Sequence, residues 1–408
     1  LFASATGPGM VLFYNGVNCK ERNDSFLYCV PKPQFRDSAL SELIIDASDI
    51  KYIPIEEAQN PKTNVWKVAM WGTMRDLRLI KKFSKESKLI DILNESSKWK
   101  HGGGFRTTNP KRFTNKKLKQ MPHLPTGMVD RYYTNKGNTE RITDTQFERL
   151  GETGAYKAPH IIIKEGQANK RFCASFLDYD CTYRNNTYGI GGPISSDTLK
   201  TITAYFNSKF ATYYLFLSLS SWGIERERVE FNQMLSIPAF PFLFDPKSQS
   251  NIVKAINKII SLKKGNSLYQ EQDILQLEEE IDKIILDEIG ISKDERCLIE
   301  NTVESSLDYF QEGVKSKAIT PVQKAEMQKY GRKACKNLSK ILAGAKTNIW
   351  AKIYQPSVLS PLRLISIHFN NEQENGAIVV DESDVDPLLE KLNRNIYEQH
   401  SERIYFRK

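Results

Sequence analysis

The sequence predicts a multi-domain protein of mixed α/β and α+β class. Its 408 residues exceed the roughly 100–200 that one domain usually holds. Short apolar runs bounded by Pro, Gly and Asn read as strands, whereas other stretches repeat apolar residues every three or four positions, as helices do. With 40% apolar and 26% charged residues, 20 Phe and 18 Tyr, the composition is that of a chain that builds a core.

In chain order, Met10–Tyr14 reads as a sheet-centre run in an opening stretch that has no initiator methionine. Phe26–Val30, ended by Pro31-Lys32-Pro33, then Leu43–Ile45 and Val65–Trp71, read as further strands feeding a helix over Asp76–Phe83. From 98 to 192 the chain is strand and loop, punctuated by Gly102-Gly103-Gly104, Asn109-Pro110, Pro122 and Pro125, with strands at His160–Lys164 and Arg171–Leu177. Ser195-Ser196-Asp197 offers an N-cap to a long helix striped by Leu199, Ile202, Phe206, Phe210, Tyr213, Tyr214 and Leu217.

A second helix from Ser250 leads through Lys263-Lys264-Gly265-Asn266 into a third. There Ile274, Leu277, Ile281, Ile284 and Ile291 suit an antiparallel hairpin or a short coiled-coil arm. A polar stretch around Gly313–Pro321 precedes a last α+β unit: a basic helix over Val322–Leu342, strands at Asn348–Tyr354, Leu362–Phe369 and Ala377–Val380, and a closing helix over Pro387–His400. The expected divisions are thus 1–97, 98–245, 246–318 (helical connector) and 319–408.

The longest apolar runs, Met10–Tyr14 and Ala211–Leu217, fall far short of the ~20 residues of a membrane helix. The opening run also lacks the basic flank and length of a signal segment, which favours reading the chain as a piece of something larger. Six scattered cysteines without a C-x-x-C pair suit reduced, buried thiols in a cytoplasmic protein. No zinc-type spacing is present.

The net charge is +9, and residues 98–136 alone account for that much, with ten Lys or Arg against the single acid Asp130. Interleaved with them are Phe105, Phe113, Tyr132, Tyr133, Asn109, Asn115 and Asn135. Lys and Arg neutralise phosphates, Asn and Arg pair with base edges, and aromatic rings stack on bases. The candidate nucleic-acid-binding residues are Arg106, Lys111, Arg112, Lys116, Lys117, Lys119, Arg131, Tyr132 and Tyr133, with Lys164, Lys170, Arg171, Arg184 and Asn185 flanking the two strands. A solubilising surface would ordinarily mix both signs.

Catalytic signatures are missing. There is no Pro-Pro dipeptide, hence no Asn/Asp-Pro-Pro turn, and no F-x-G-x-G loop. Gly7-Pro8-Gly9 and Gly102-Gly103-Gly104 match neither a dinucleotide turn nor a P-loop. The histidines form no H-E-x-x-H pair, and no G-x-S-x-G serine is present. Asp76, Glu86 and Lys88 have the bare order of a metal-dependent nuclease, but they lie in a helical pattern, where a solvated face is the simpler reading. The expected catalytic, metal and cofactor residues are none.

Several stretches resemble a known family. "GPISSDTLKTITAYFNSKFATYYLFLSLSSWGIERERVEFNQMLSIPAFPF", preceded by "APHIIIKEG" and "RFCASFLDYDCTYRNNTYGI", resembles the TaqI-like C-terminal specificity domain of adenine-N6 DNA methyltransferases and, more loosely, type I specificity subunits. "FASATGPGMVLFYNG", "FLYCVPKPQ" and "NVWKVAMWGTMRDLRLIKKF" resemble the last strands and exit segment of the methyltransferase domain in large single-chain restriction–modification enzymes. The resemblance covers about residues 1–290. It implies the tail of a methyltransferase sheet over 1–97 and a target-recognition domain over 98–245, reading a short sequence in double-stranded DNA. It also implies a missing catalytic domain that binds S-adenosylmethionine and methylates a flipped adenine. The alternatives are a nuclease module, or an interaction module in which the helical arm docks a partner subunit.

Overall fold

Isoleucines at three consecutive positions, Ile161–Ile163, organise the molecule: in a strand, neighbours point to opposite faces, so a run of three demands that both faces be covered. The computed structural model describes residues 25–30, 49–107, 114–143, 146–168, 170–219, 222–224, 229–265, 270–320, 322–344, 346–354 and 363–381. The expectations for Met10–Tyr14, Leu43–Ile45, Lys111, Arg112 and Pro387–His400 lie outside them. The chain is a multi-domain mixed α/β protein and divides into two compact units, 1–318 and 319–408.

The first unit begins with strands β1 (Ser25–Cys29) and β2 (Ile50–Pro54), paired antiparallel. Helices α1 (Ile55–Gln59), α2 (Val65–Trp71), α3 (Met74–Phe83) and α4 (Leu89–Glu95) follow. The strand expected at Val65–Trp71 is therefore a helix. The reason is spacing: Val65, Val68 and Ala69 are buried at i, i+3 and i+4, while Trp66 is exposed and Trp71 packs against the core beside Phe216. Helix α3 starts on a capping box in which Asp76 accepts from the Thr73 N–H at 2.7 Å.

Strand β3 (Lys100–Gly103), helix α5 (Lys116–Gln120) and the short strands β4 (Pro122–His123), β5 (Tyr132–Tyr133) and β6 (Glu140–Arg141) precede the long strands β7 (His160–Ala168), β8 (Arg171–Leu177) and β9 (Thr187–Gly191). The five-stranded sheet has the order β3-β9-β7-β8-β5, antiparallel except for the β5–β8 pair. Its two faces feed two cores. Ile161, Ile163, Phe172, Ala174 and Phe176 join a large core with the helices, while Ile162, Cys173 and Leu177 join a smaller one with the loops.

The long helix expected after Ser195 is two helices, α6 (Ser196–Asn207) and α7 (Lys209–Ser218). Ser208 ends one and caps the other, its hydroxyl accepting from the Ala211 N–H at 3.1 Å. Asn207 spans to β8 through both amide atoms, donating to the Ala174 carbonyl at 2.8 Å and accepting from the Ala174 N–H at 3.1 Å. Helix α8 (Phe231–Met234) leads to Pro241, which opens a 3₁₀ turn, and to Asp245, the N-cap of α9 (Pro246–Lys264). Helices α10 (Gln270–Glu288), α11 (Lys293–Asn301) and α12 (Leu307–Glu312) complete the unit. Ile252, Ile256, Ile259, Ile281 and Ile285 are buried in the large core, each such side chain contributing about 1.5–3 kcal/mol on burial. The apolar stripe of the expected arm is thus spent on the chain's own core, which draws on all of 1–97, 98–245 and 246–318.

In the second unit, helix α13 (Lys324–Ile341) packs on the sheet of β10 (Ile349–Tyr354), β11 (Ile365–Phe369) and β12 (Ile378–Asp381), in the order β11-β10-β12. Cys335, Ile349 and Ala351 form its small core. Among the described residues, no helix is long and apolar enough to cross a membrane.

Candidate nucleic-acid interface

The glycine run is a close backbone approach. After β3 the chain comes so near residues 183–184 that a Cβ on Gly104 would collide with the Tyr183 carbonyl oxygen. This proximity lets the Phe105 N–H donate to the Tyr183 carbonyl, the Asn185 N–H to the Phe105 carbonyl (both 3.0 Å) and the Arg106 N–H to the Arg149 carbonyl (2.9 Å). Three short extended pieces, around Phe105–Arg106, Arg149 and Arg184, therefore lie side by side. Buried Phe105 anchors them, edge-on to Phe147 with ring centroids 5.4 Å apart.

These pieces hold Arg106, Arg149, Arg184 and Asn185 exposed. The Arg184 guanidinium lies 5.6 Å over the Phe105 ring and donates to the Thr107 hydroxyl at 3.3 Å, so its direction is held by protein contacts. Arg106 is paired with Glu148 at 3.4 Å. Arg149 passes over Gly103 and belongs to no ion pair among the described residues.

Helix α5 joins the same loop layer through the smaller core. Asn115 caps it by accepting from the Leu118 N–H at 3.0 Å, and Leu118 roots it in the smaller core. Lys116 and Lys117 are exposed and Lys119 half-buried. The helix runs straight into β4, whose His123 bridges to Thr182, two residues from Arg184. Lys164, half-buried, faces Thr187 across β7–β9. The structure thus brings Arg106, Arg184 and Asn185 together, with Lys164 opposite Thr187 two residues from Asn185, while Lys116, Lys117 and Lys119 stand on α5, which β4 ties to the same loop layer.

Five other candidates have different work, which is a correction to the sequence reading. Arg131 is buried, donating to Glu278 of α10 at 3.0 Å and to the Asn207 carbonyl at 3.1 Å. Tyr132 is fully buried, and Tyr133, also buried, donates to Asp178 at 3.1 Å. Arg171 meets Asp282 at 2.8 Å, and Lys170 meets Asp308. Burial alone would raise the Asp308 pKa, but Lys170, the Ser316 hydroxyl and the Lys317 N–H outweigh it and hold the carboxyl below its usual range. These cations clamp the sheet to the helices instead of facing a ligand.

The remaining chemistry is structural. Buried His160 meets the Ala155 carbonyl at 2.6 Å and the Tyr179 carbonyl at 3.2 Å, and burial lowers its pKa despite those bonds. Burial pushes the Cys173 and Cys181 thiols up to about 12, which makes them poor nucleophiles. The five described cysteines are free thiols. Asp76 is buried at the start of α3 and accepts from the Tyr213 hydroxyl at 3.0 Å, while Glu86 lies exposed beyond its far end. A ten-residue helix is about 15 Å long, so these carboxylates do not converge on one ion. Among the described residues, no group of His, Cys, Asp and Glu is arranged to hold a metal.

Arg149 escaped the sequence reading because it lies beyond the 98–136 window, among the acids Asp144, Glu148 and Glu152. The glycine two residues later was the available signal. Gly151 has φ +74° and sits against the Gly103 carbonyl, marking a turn that returns the chain to the glycine run.

No protein-family description matches the chain, and no curated protein does. Among solved structures the chain is similar to the type IIL restriction-modification enzyme MmeI in complex with DNA, at 13% identity and a TM-score of 0.32 over 53% of this chain and 36% of that one. It is similar to the type IIG restriction endonuclease BpuSI at 9% identity and a TM-score of 0.30, over 60% and 36%. It is also similar to the HsdS subunit from Thermoanaerobacter tengcongensis at 12% identity and a TM-score of 0.23, over 66% and 64%. The chain spans about a third of the length of the first two.

Proposed function

We propose that this chain recognises a short sequence in double-stranded DNA, as the specificity portion of a cytoplasmic restriction–modification adenine-N6 methyltransferase. The observation that carries the reading is the set of exposed Arg149, Arg184 and Asn185 on abutting strand ends, in the same loop layer as the lysines of α5. Arg pairs bidentately with guanine in the major groove and Asn with adenine, whereas lysines on phosphates set register without reading sequence. In this division of labour Lys116, Lys117, Lys119 and Lys164 hold the backbone. Arg149, Arg184 and Asn185 meet base edges, and the Phe105 ring and the Thr107 hydroxyl hold the Arg184 fork in place. The catalytic domain, its S-adenosylmethionine loop and its Pro-Pro turn belong to other sequence. The closeness of the "IPAFPF" and "FNSKF" stretches to specificity domains supports this assignment.

The test is selection of bound duplexes from a random-sequence pool. The expected result is enrichment of one short motif, with Arg149→Ala and Arg184→Ala each relaxing preference at a defined position by about 1–3 kcal/mol of discrimination. Absence of any enriched motif, or identical motifs for wild type and both variants, overturns the reading.

A further inference from the structure

The second unit carries a charge pattern that target recognition leaves unused. On α13, Lys329, Arg332, Lys333, Lys336 and Lys340 are all exposed. At 100° per residue they fall within an arc of about 100°, opposite the buried Met327, Gly331 and Cys335. None belongs to an ion pair among the described residues. The cations follow one another at three- and four-residue spacings, and like charges so placed destabilise a helix. On other helices some cations meet acids, as Lys81 does Glu57, Lys82 Glu295 and Lys209 Glu304; on α13 five stand on one face without one among the described residues. Among the described residues no acid offsets this repulsion, and an external polyanion would relieve it.

We propose that this stripe is a second, sequence-independent site for the phosphate backbone of double-stranded DNA. From Lys329 to Lys340 it extends about 16 Å, with a cation in every turn. Tyr330, 66% exposed, stands beside it as a flat group for sugar contacts. An anionic membrane is the poorer match, because a helix lying on lipid needs a free apolar face. Here that face is committed: a Cβ on Gly331 would come within 3.1 Å of Ile378 and 3.3 Å of Ala351. Ile341 and Leu342 are exposed at the helix end, too few to form such a face.

The experiment uses the full chain and a labelled random-sequence duplex, with affinity followed by anisotropy between 50 and 200 mM salt. Replacing all five cations by Gln is expected to lower affinity at least tenfold at 100 mM and to reduce the slope of log K against log salt by about three to four. Replacing the four lysines by Arg should keep both. The proposal is overturned by a slope within one unit of wild type for the Gln variant, or by loss of binding to phosphatidylserine vesicles while DNA binding persists. Failure of target recognition is separately visible: Arg149→Ala/Arg184→Ala would then leave motif selection unaltered, whatever the stripe does to the slope.

Discussion

Replacing Arg131 by Met should unfold the first unit far more readily without any role for DNA. The Arg131 and Glu278 side chains are 6% and 7% exposed and 3.0 Å apart, so the substitution leaves a buried carboxylate without its counter-charge, at a cost of about 3–5 kcal/mol. The Asn207 carbonyl also loses a donor at 3.1 Å, about 1 kcal/mol more. Arg131 Nε has no partner even in the intact protein, so nothing is lost there. Because paired apolar replacement of a buried ion pair is commonly neutral or stabilising, Arg131→Met/Glu278→Leu should recover most of the loss. Urea unfolding of the four proteins gives the coupling, expected at about 3 kcal/mol. The double variant should bind duplex DNA within about threefold of wild type, since neither group faces the ligand. Undiminished stability of Arg131→Met, together with lost DNA affinity, would refute the assignment.

Charge reversal of Lys116, Lys117 and Lys119 should weaken duplex binding and shrink the salt slope by about 0.9 for each phosphate that is no longer neutralised, read by mobility shift at several salt concentrations. Gly104→Ala should displace the Phe105 segment, since its Cβ would meet carbonyl oxygens that belong to backbone. Sequence preference should fall while the helices keep their circular dichroism. Buried Lys67, whose pKa burial pulls down to about 7, binds its proton more weakly folded than unfolded. Its contribution to stability therefore rises with pH between that value and the ordinary lysine range, by about 1.4 kcal/mol per unit. Lys67→Met should flatten this rise between pH 7.5 and 9.5 in chemical denaturation, and an unchanged slope would exclude the mechanism.

Local signals were legible where local physics decides them. Strand β8 has the bounds expected from its apolar run, Arg171–Leu177, and the Ser195 hydroxyl caps α6 by accepting from the Thr198 N–H at 3.1 Å. The break at Ser208 was hidden because apolar spacing continues across it; only the Ser208 hydroxyl, which can cap, hinted at a new helix. The exposure of the α5 lysines was legible because their neighbours in sequence are also their neighbours in space. Arg131, Lys170 and Arg171 misled, since charge counting registers sign but not partners. Glu278, Asp308 and Asp282 lie more than a hundred residues away along the chain, and only tertiary packing brings them in.

The two cores on opposite faces of one sheet give the loop layer proposed to read DNA a measure of autonomy. Phe105, Leu118, Phe147 and Tyr183, which seat the loop layer, belong to the smaller core and not to the helix-backed one. Loops can therefore be exchanged or loosened while the scaffold keeps its packing. A layer of that kind opens as its own cooperative unit, and hydrogen exchange should resolve two protection classes, the lower one for residues 104–107, 114–124 and 146–156. If that layer reads DNA as proposed, such insulation would let new binding preferences be grafted, by evolution or by design, onto a chassis whose stability is decided elsewhere.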